Sequence, residues 1–267
     1  MTKILNSDLK PLNLAILHCV GYLNQNRNVT GYAFQLPPQA QPNKHKTLYE
    51  LLSNVYQPAD VPDLGERFDL GKALISTIFE IHNIGWMHKN IQAKNILFWP
   101  KTDGSNQYDV SKPYIVGFDI SRPNQEGEFS EKPDPHPEEE HYRHPDYKSP
   151  NPKSFQPSFD MYSLGVILFE IGLWKKVATP LENRSGRPPL PSYHSDPQLI
   201  ENMVKKGKIA ELKMYMGARY RDAVMACLRR GFDAPWKREG LDQLQRQQEY
   251  LKLVQDLVVD PLANCKA

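Results

Sequence analysis

The sequence predicts an α+β fold dominated by helix, on three observations. Two apolar runs, 12–23 (LNLAILHCVGYL) and 30–36 (TGYAFQL), flank the polar stretch NQNRNV as the strands of a β-hairpin flank their turn. Helical spacing of apolar residues occupies 66–85, 198–206, 208–229 and 241–259, and 159–173 is apolar almost all round. A second short hairpin, 95–99 with 114–116, sits in the middle of the helices. Strands first and helices after, with no repeat, is the order of an α+β domain.

Each element has a local reason. Leu36-Pro37-Pro38 ends the second strand, because proline brings no amide to a ladder. A polar linker follows to Lys46, then a short helix, Thr47-Leu48-Tyr49-Glu50-Leu51-Leu52. Leu70, Leu74, Ile75, Ile78, Phe79 and Ile81 give 66–85 its helical face, and Gly85 stops it. Trp86 to Trp99 is too broken for a helix, and its end, Asn95 to Trp99, reads as a buried strand. Lys101 to Lys112 is a polar turn region before the partner strand Tyr114-Ile115-Val116. Eight prolines fall between Pro123 and Pro157, and eight acids between Asp119 and Glu140, so 119–157 is expected to be a long irregular segment. Phe159 to Leu173 is the expected central helix, and Pro180 to Pro197 a second Pro-rich loop.

Composition excludes several classes. Charged residues at 24% and hydrophobic ones at 40% are those of a globular chain, not of a disordered or collagen-like one. A chain of 267 residues makes one large domain or two small ones and buries a core without disulfides or metal. The net charge of +2 argues against an electrostatic nucleic-acid binder. Cys19, Cys227 and Cys265 form no paired framework, which points to a reducing, cytoplasmic compartment. The first ten residues have no apolar core of the signal-peptide kind. The longest apolar stretch, Met161 to Trp174, contains Glu170 and is too short for membrane insertion.

Four motifs carry the functional reading. They are Met87-His88-Lys89-Asn90-Ile91-Gln92-Ala93-Lys94-Asn95-Ile96-Leu97; Tyr114-Ile115-Val116-Gly117-Phe118-Asp119; Tyr142-Arg143-His144-Pro145-Asp146; and Phe159-Asp160-Met161-Tyr162-Ser163-Leu164-Gly165-Val166. In this order they resemble the catalytic loop (H-R-D-L-x-x-x-N), the D-F-G motif, the A-P-E motif and the buried central helix of protein kinases. The spacing, 29 residues from Gly117 to Asp146 and 14 more to Asp160, is similar to the family's. The wording of the motifs is similar to that of kinase-like domains of fungal proteins. The resemblance implies a protein-kinase-like fold with a reduced β N-lobe (1–36), a hinge or linker (37–46) and a mainly helical C-lobe (47–267). The first hairpin would be the family's fourth and fifth strands. Either the domain is a half-lobe variant, or Met1 lies inside a longer kinase-like chain.

The departures fall on the chemistry. Phosphoryl transfer needs a glycine-rich loop, a lysine on the phosphates, two Mg²⁺ and an aspartate that accepts the substrate proton. Asn90 stands at the catalytic-base position, and a neutral amide accepts no proton. Gly117 stands where the Mg²⁺ aspartate belongs, and neither the glycine-rich loop nor the lysine strand is found before Asn90. The scaffold positions match instead. His88 and Phe118 sit where the family packs its spine, and Asp160 where a buried aspartate holds the loop backbone. The resemblance therefore implies a pseudokinase, a signalling scaffold with protein partners, for which ATP and Mg²⁺ are doubtful cofactors.

Other readings stay open. His88 could be a core histidine and Asp160 an N-cap. Asn95 is a turn amide or a weak Mg²⁺ ligand, and Asp119 is a solvated or capping acid or a displaced one. Those two on metal would make an active ATP-dependent kinase. His136, His141 and His144, with Glu138, Glu139 and Glu140 between them, offer zinc ligands for a metal-dependent hydrolase, or only a solvated acidic loop. Lys89 stands where the family's arginine meets a phosphorylated segment, with Ser130 the nearest candidate. Leu241, Leu244, Leu251, Val254 and Val258 share a helical face, for the core or for a partner.

Overall fold

Cys19–Gln25 (β1) and Val29–Phe34 (β2) pair antiparallel, with Tyr22 opposite Tyr32, as the first hairpin. The computed structural model describes residues 14–25, 29–103, 105, 107–124, 137–148, 153–177, 202–204 and 206–267. The first strand starts at Cys19; residues 12 and 13 of the expected strand lie outside the described residues, and 15–16 have another partner. Ala15 donates its amide to Thr77 Oγ1 (2.9 Å), and its carbonyl accepts from the Ile115 amide (2.7 Å). Ile16 bridges Ile115 in parallel, and Ala15, Ile16 and Leu17 are buried. That run gains more by docking on the helical body than by lengthening a two-stranded ladder.

The linker ends at Lys46–Thr47 (β3), and Thr47 caps the helix Leu48–Ser53 (α1) through a reciprocal box with Glu50. Leu64–Asn83 (α2) begins with the Glu66 carboxylate on the Asp63 amide (3.1 Å) and stops before Gly85, whose φ of 75° suits glycine. Leu70, Leu74, Ile75, Ile78 and Ile81 are buried, while Phe79 is half-buried. Trp86–Met87 (β4) follows, then Ile96–Phe98 (β5) and Tyr114–Ile115 (β6). β5 lies between β3 and β6 in an antiparallel three-stranded sheet, and β4 pairs antiparallel with Arg122–Pro123 (β7). Among the described residues of the irregular segment there are also a 3₁₀ stretch, Pro137–Tyr142, and a single helical turn, Pro145–Lys148 (α3).

Pro157–Leu173 (α4) is the central helix, two residues longer at its start than expected because Pro157 suits the first turn. It is buried from Pro157 to Gly172. Lys208–Leu228 (α5) packs on it where Gly165 and Gly172 leave no room for a β-carbon: one at Gly165 would stand 2.7 Å from Cys227 Cβ. α5 breaks its helical path at Gly217 (φ 79°, ψ 169°). Ala234–Lys237 (α6), Gln243–Val254 (α7), a π turn at Gln255–Val259 and Asp260–Ala263 (α8) complete the body.

The face expected on the last helical stretch needs correction. Val254 and Val258 are buried and Leu241 and Leu251 half-buried, but Leu244 is 64% exposed. The buried line is Tyr250, Val254, Val258 and Leu262. A step of four residues drifts about 40° on an α-helix, and the wider π turn takes up part of that drift. Of 198–206, residues 202–204 are described and helical and residue 206 is a turn; Pro180 to Pro197 lie outside the described residues. Among the described residues no helix is long and apolar enough to cross a membrane. The three cysteines are buried and unbridged.

Candidate functional site

The site is built where α4 meets the loop after β4. Asp160 sits one turn into the helix, with no exposed surface. The N-cap is Gln156, so the capping alternative for Asp160 falls away. Its carboxylate instead accepts from three donors. Oδ2 takes the His88 amide (2.8 Å) and faces His82 Nε2 (3.1 Å), and Oδ1 takes the Lys89 amide (2.8 Å). Buried charge is tolerated only when it is hydrogen-bonded in this way. The bonds also hold Lys89 at a φ of 69°, a left-handed conformation that side chains other than glycine rarely adopt.

His88 is fully buried and packs on Phe118 with ring centroids 4.6 Å apart. Its Nδ1 accepts from the Asn90 amide (3.2 Å), which puts the ring proton on Nε2. The Val116 carbonyl favours that proton without reaching full hydrogen-bond geometry. Burial outweighs the attraction of Asp160 and lowers the ring's pKa from 6.5 to about 4, so His88 is neutral. Ser121 Oγ donates to the His88 carbonyl (2.9 Å) and ties the loop to the segment after Phe118.

The polar floor of the site consists of amides. Gln92 Nε2 donates to Asn90 Oδ1 (2.8 Å), and Asn95 Nδ2 donates to the Asn90 carbonyl (2.8 Å). Gly117 is left-handed (φ 86°), and a β-carbon there would lie 2.5 Å from Asn95 Nδ2 and 3.3 Å from Asn90 Nδ2. The Asn95 amide thus occupies the room a side chain at 117 would need. Asp119 is exposed and does not join this amide cluster by any hydrogen bond. Its charge acts on His88 only at a distance. Asn90, Asn95 and Gly117 are therefore brought together, and Asp119 is not.

Of the histidine cluster, His141 and His144 are described, and they do not come together on a metal site. His136, like Ser130, lies outside the described residues, as do the side chains of Glu138 and Glu139. His144 stacks on Phe159 (centroids 4.3 Å, planes 11° apart) and accepts from the Asp146 amide through Nδ1 (3.1 Å). His141 packs on Tyr142 and faces Glu170, with Nε2 to Oε1 at 3.9 Å. Among the described residues no group of three or more His, Cys, Asp or Glu side chains could hold a metal ion. Lys89 Nζ lies 5.8 Å from the centre of the Phe155 ring.

Sequence reasoning missed the support behind Asp160. His82 Nδ1 meets the Tyr250 hydroxyl at 2.7 Å while its Nε2 faces Asp160, so Tyr250, His82 and Asp160 form one buried chain from α7 through α2 to α4. Gln247 Nε2 adds a bond to the His82 carbonyl (3.1 Å). The signal for His82 was a polar residue on the apolar face of its helix. Tyr250 gave none, standing 168 residues away.

Residues 21–265 match the family model described as Domain of unknown function (DUF7580), and the chain belongs to that family. No curated protein matches the chain.

Proposed function

We propose that this member of the Domain of unknown function (DUF7580) family is a catalytically impaired protein-kinase-like domain, a pseudokinase that works as a protein-interaction or regulatory scaffold. One observation carries the reading. Asp160 grips the backbone of the loop at His88 and Lys89, as a kinase-like scaffold requires, while the two positions that should carry acids hold Asn90 and Gly117. Three contacts support it. His88 packs on Phe118, Ala15 and Ile16 dock on α2 and β6 ahead of the hairpin, and Asn95 is turned onto the Asn90 carbonyl. A base contributes roughly 10²–10⁴ in rate, and the metal clamp neutralises the charge that phosphoryl transfer spreads over its oxygens. With neither acid the domain presents a surface and no transfer chemistry.

The test is nucleotide turnover by the purified chain in Mg²⁺. The expected result is no release of phosphate from ATP above the rate in buffer. Turnover that disappears in Asp119→Ala would overturn the reading and make Asp119 a displaced metal ligand.

A further inference from the structure

Glu170 lies in α4 with none of its surface exposed, and nothing in the kinase-like reading uses it. Its carboxyl group joins separate stretches of chain. Oε2 accepts from the Tyr142 hydroxyl (2.8 Å), and Oε1 accepts from the Val177 amide (2.9 Å). Ser163 Oγ donates to the Tyr142 carbonyl (2.7 Å), so Tyr142 is tied to α4 at both ends. The backbone of Ala93, in the loop below Asn90, also faces the Tyr142 hydroxyl.

Among the described residues one side chain stands within ion-pair distance of this carboxyl, His141, and it carries a charge only when protonated. His141 and Tyr142 face it from 137–148, with His141 Nε2 3.9 Å away. Lys176 acts on it from the chain after α4 without making an ion pair with it, and Tyr49 of α1 lies beyond Tyr142. A carboxylate held by two neutral donors, with no lysine or arginine ion-paired to it among the described residues, is poorly compensated where none of its surface is exposed. Burial accordingly raises its pKa from 4.5 to about 7, against the pull of Val177, Tyr142 and Lys176.

We propose that Glu170 is a protonation-controlled clasp, holding 137–148 and the turn at Val177 on the central helix as the neutral acid and loosening both as the carboxylate. In the neutral form one oxygen keeps accepting from Val177. The other shares a proton with the Tyr142 hydroxyl, which can donate or accept. Loss of the proton leaves a buried charge against α4, and the two attached segments give way because side-chain bonds hold them there, while α4 is a continuous helix buried from Pro157 to Gly172. The sign follows from linkage. A carboxyl whose folded pKa is raised withdraws stability as pH rises from about 4.5 through about 7. The clasp is closed on the acid side of neutrality and open on the alkaline side, and it works whether or not the chain handles nucleotide.

The experiment follows the Val177 amide proton by NMR on the full chain from about pH 5.5 to about pH 8.5, the span in which a carboxyl brought up to neutrality titrates. Wild type is expected to show a one-proton transition. Glu170→Gln, whose side-chain amide can accept from Val177 and donate to Tyr142, is expected to show none. Tyr142→Phe removes a donor that favours the charged form, so its transition moves to higher pH. A flat wild-type profile, or a transition that persists in Glu170→Gln, overturns the clasp. Should Glu170→Gln fail to fold, a wild-type transition left unmoved by Tyr142→Phe overturns it.

Discussion

Removing the Asp160 carboxylate leaves the amides of His88 and Lys89 and the ring of His82 without their acceptor in a site closed to water. Each buried donor left unsatisfied costs about 1–3 kcal/mol, and Asp160→Ala, which strands three, is expected to lose at least about 3 kcal/mol in chemical denaturation. Asp160→Asn, which keeps one acceptor, loses less. His88 adds a pH dependence of its own. With a folded pKa of about 4 against 6.5, the unfolded chain binds the extra proton between those values, so stability rises with pH across that window. The gain is at most about 3 kcal/mol at 1.36 kcal/mol per unit. Denaturation at a series of pH values checks it: His88→Phe keeps an aromatic ring on Phe118 and should flatten the rise. These residues were legible because they sit in motifs. Gln92 and Tyr250 were not, since an amide inside a motif reads as a spacer and a distant tyrosine reads as core.

The long helices were legible as elements because burial imposes a period that a sequence displays. Of the two-residue strands, β6 was legible as part of the short apolar run Tyr114-Ile115-Val116, whereas β3, β4 and β7 were not, because they have no period and exist only through their partners. The docking of 14–17 was hidden for a related reason: an apolar run does not say whether it meets a strand or a helix. The last helices show the limit of facing rules. Leu244 has the spacing of a core residue and the exposure of a surface one, while Leu262 is 1% exposed. Leu262→Ala should cost about 2–5 kcal/mol, and Leu244→Ala should stay within about 0.5 kcal/mol. Between α4 and α5 the close approach rests on glycine. A β-carbon at Gly172 would press on Leu212, Met216 and Tyr220. Overpacking of this kind costs about 1–3 kcal/mol, so Gly172→Ala should unfold at lower denaturant with an unchanged m-value.

At the scale of the molecule, the central helix carries two buried acids with opposite tasks. Asp160 accepts from three donors and fixes the loop that carries Asn90, while Glu170 has His141 3.9 Å away and, as the proposed clasp, answers to pH. On the proposed reading the scaffold is organised around one site that lacks its acids, and the fold and the amide floor are what the chain would present to a partner. The central claim is that Asn90, Asn95 and Gly117 leave no place for a metal–nucleotide pair. A thermal-unfolding scan of the purified chain with ATP, with and without Mg²⁺, tests it most directly. A ligand at 100 times its Kd adds about 2.7 kcal/mol, which for a chain of this size raises Tm by roughly 5–10 °C. The account predicts no Mg²⁺-dependent shift at millimolar ATP. A Mg²⁺-dependent rise of that size, lost in Asp119→Ala, would contradict it.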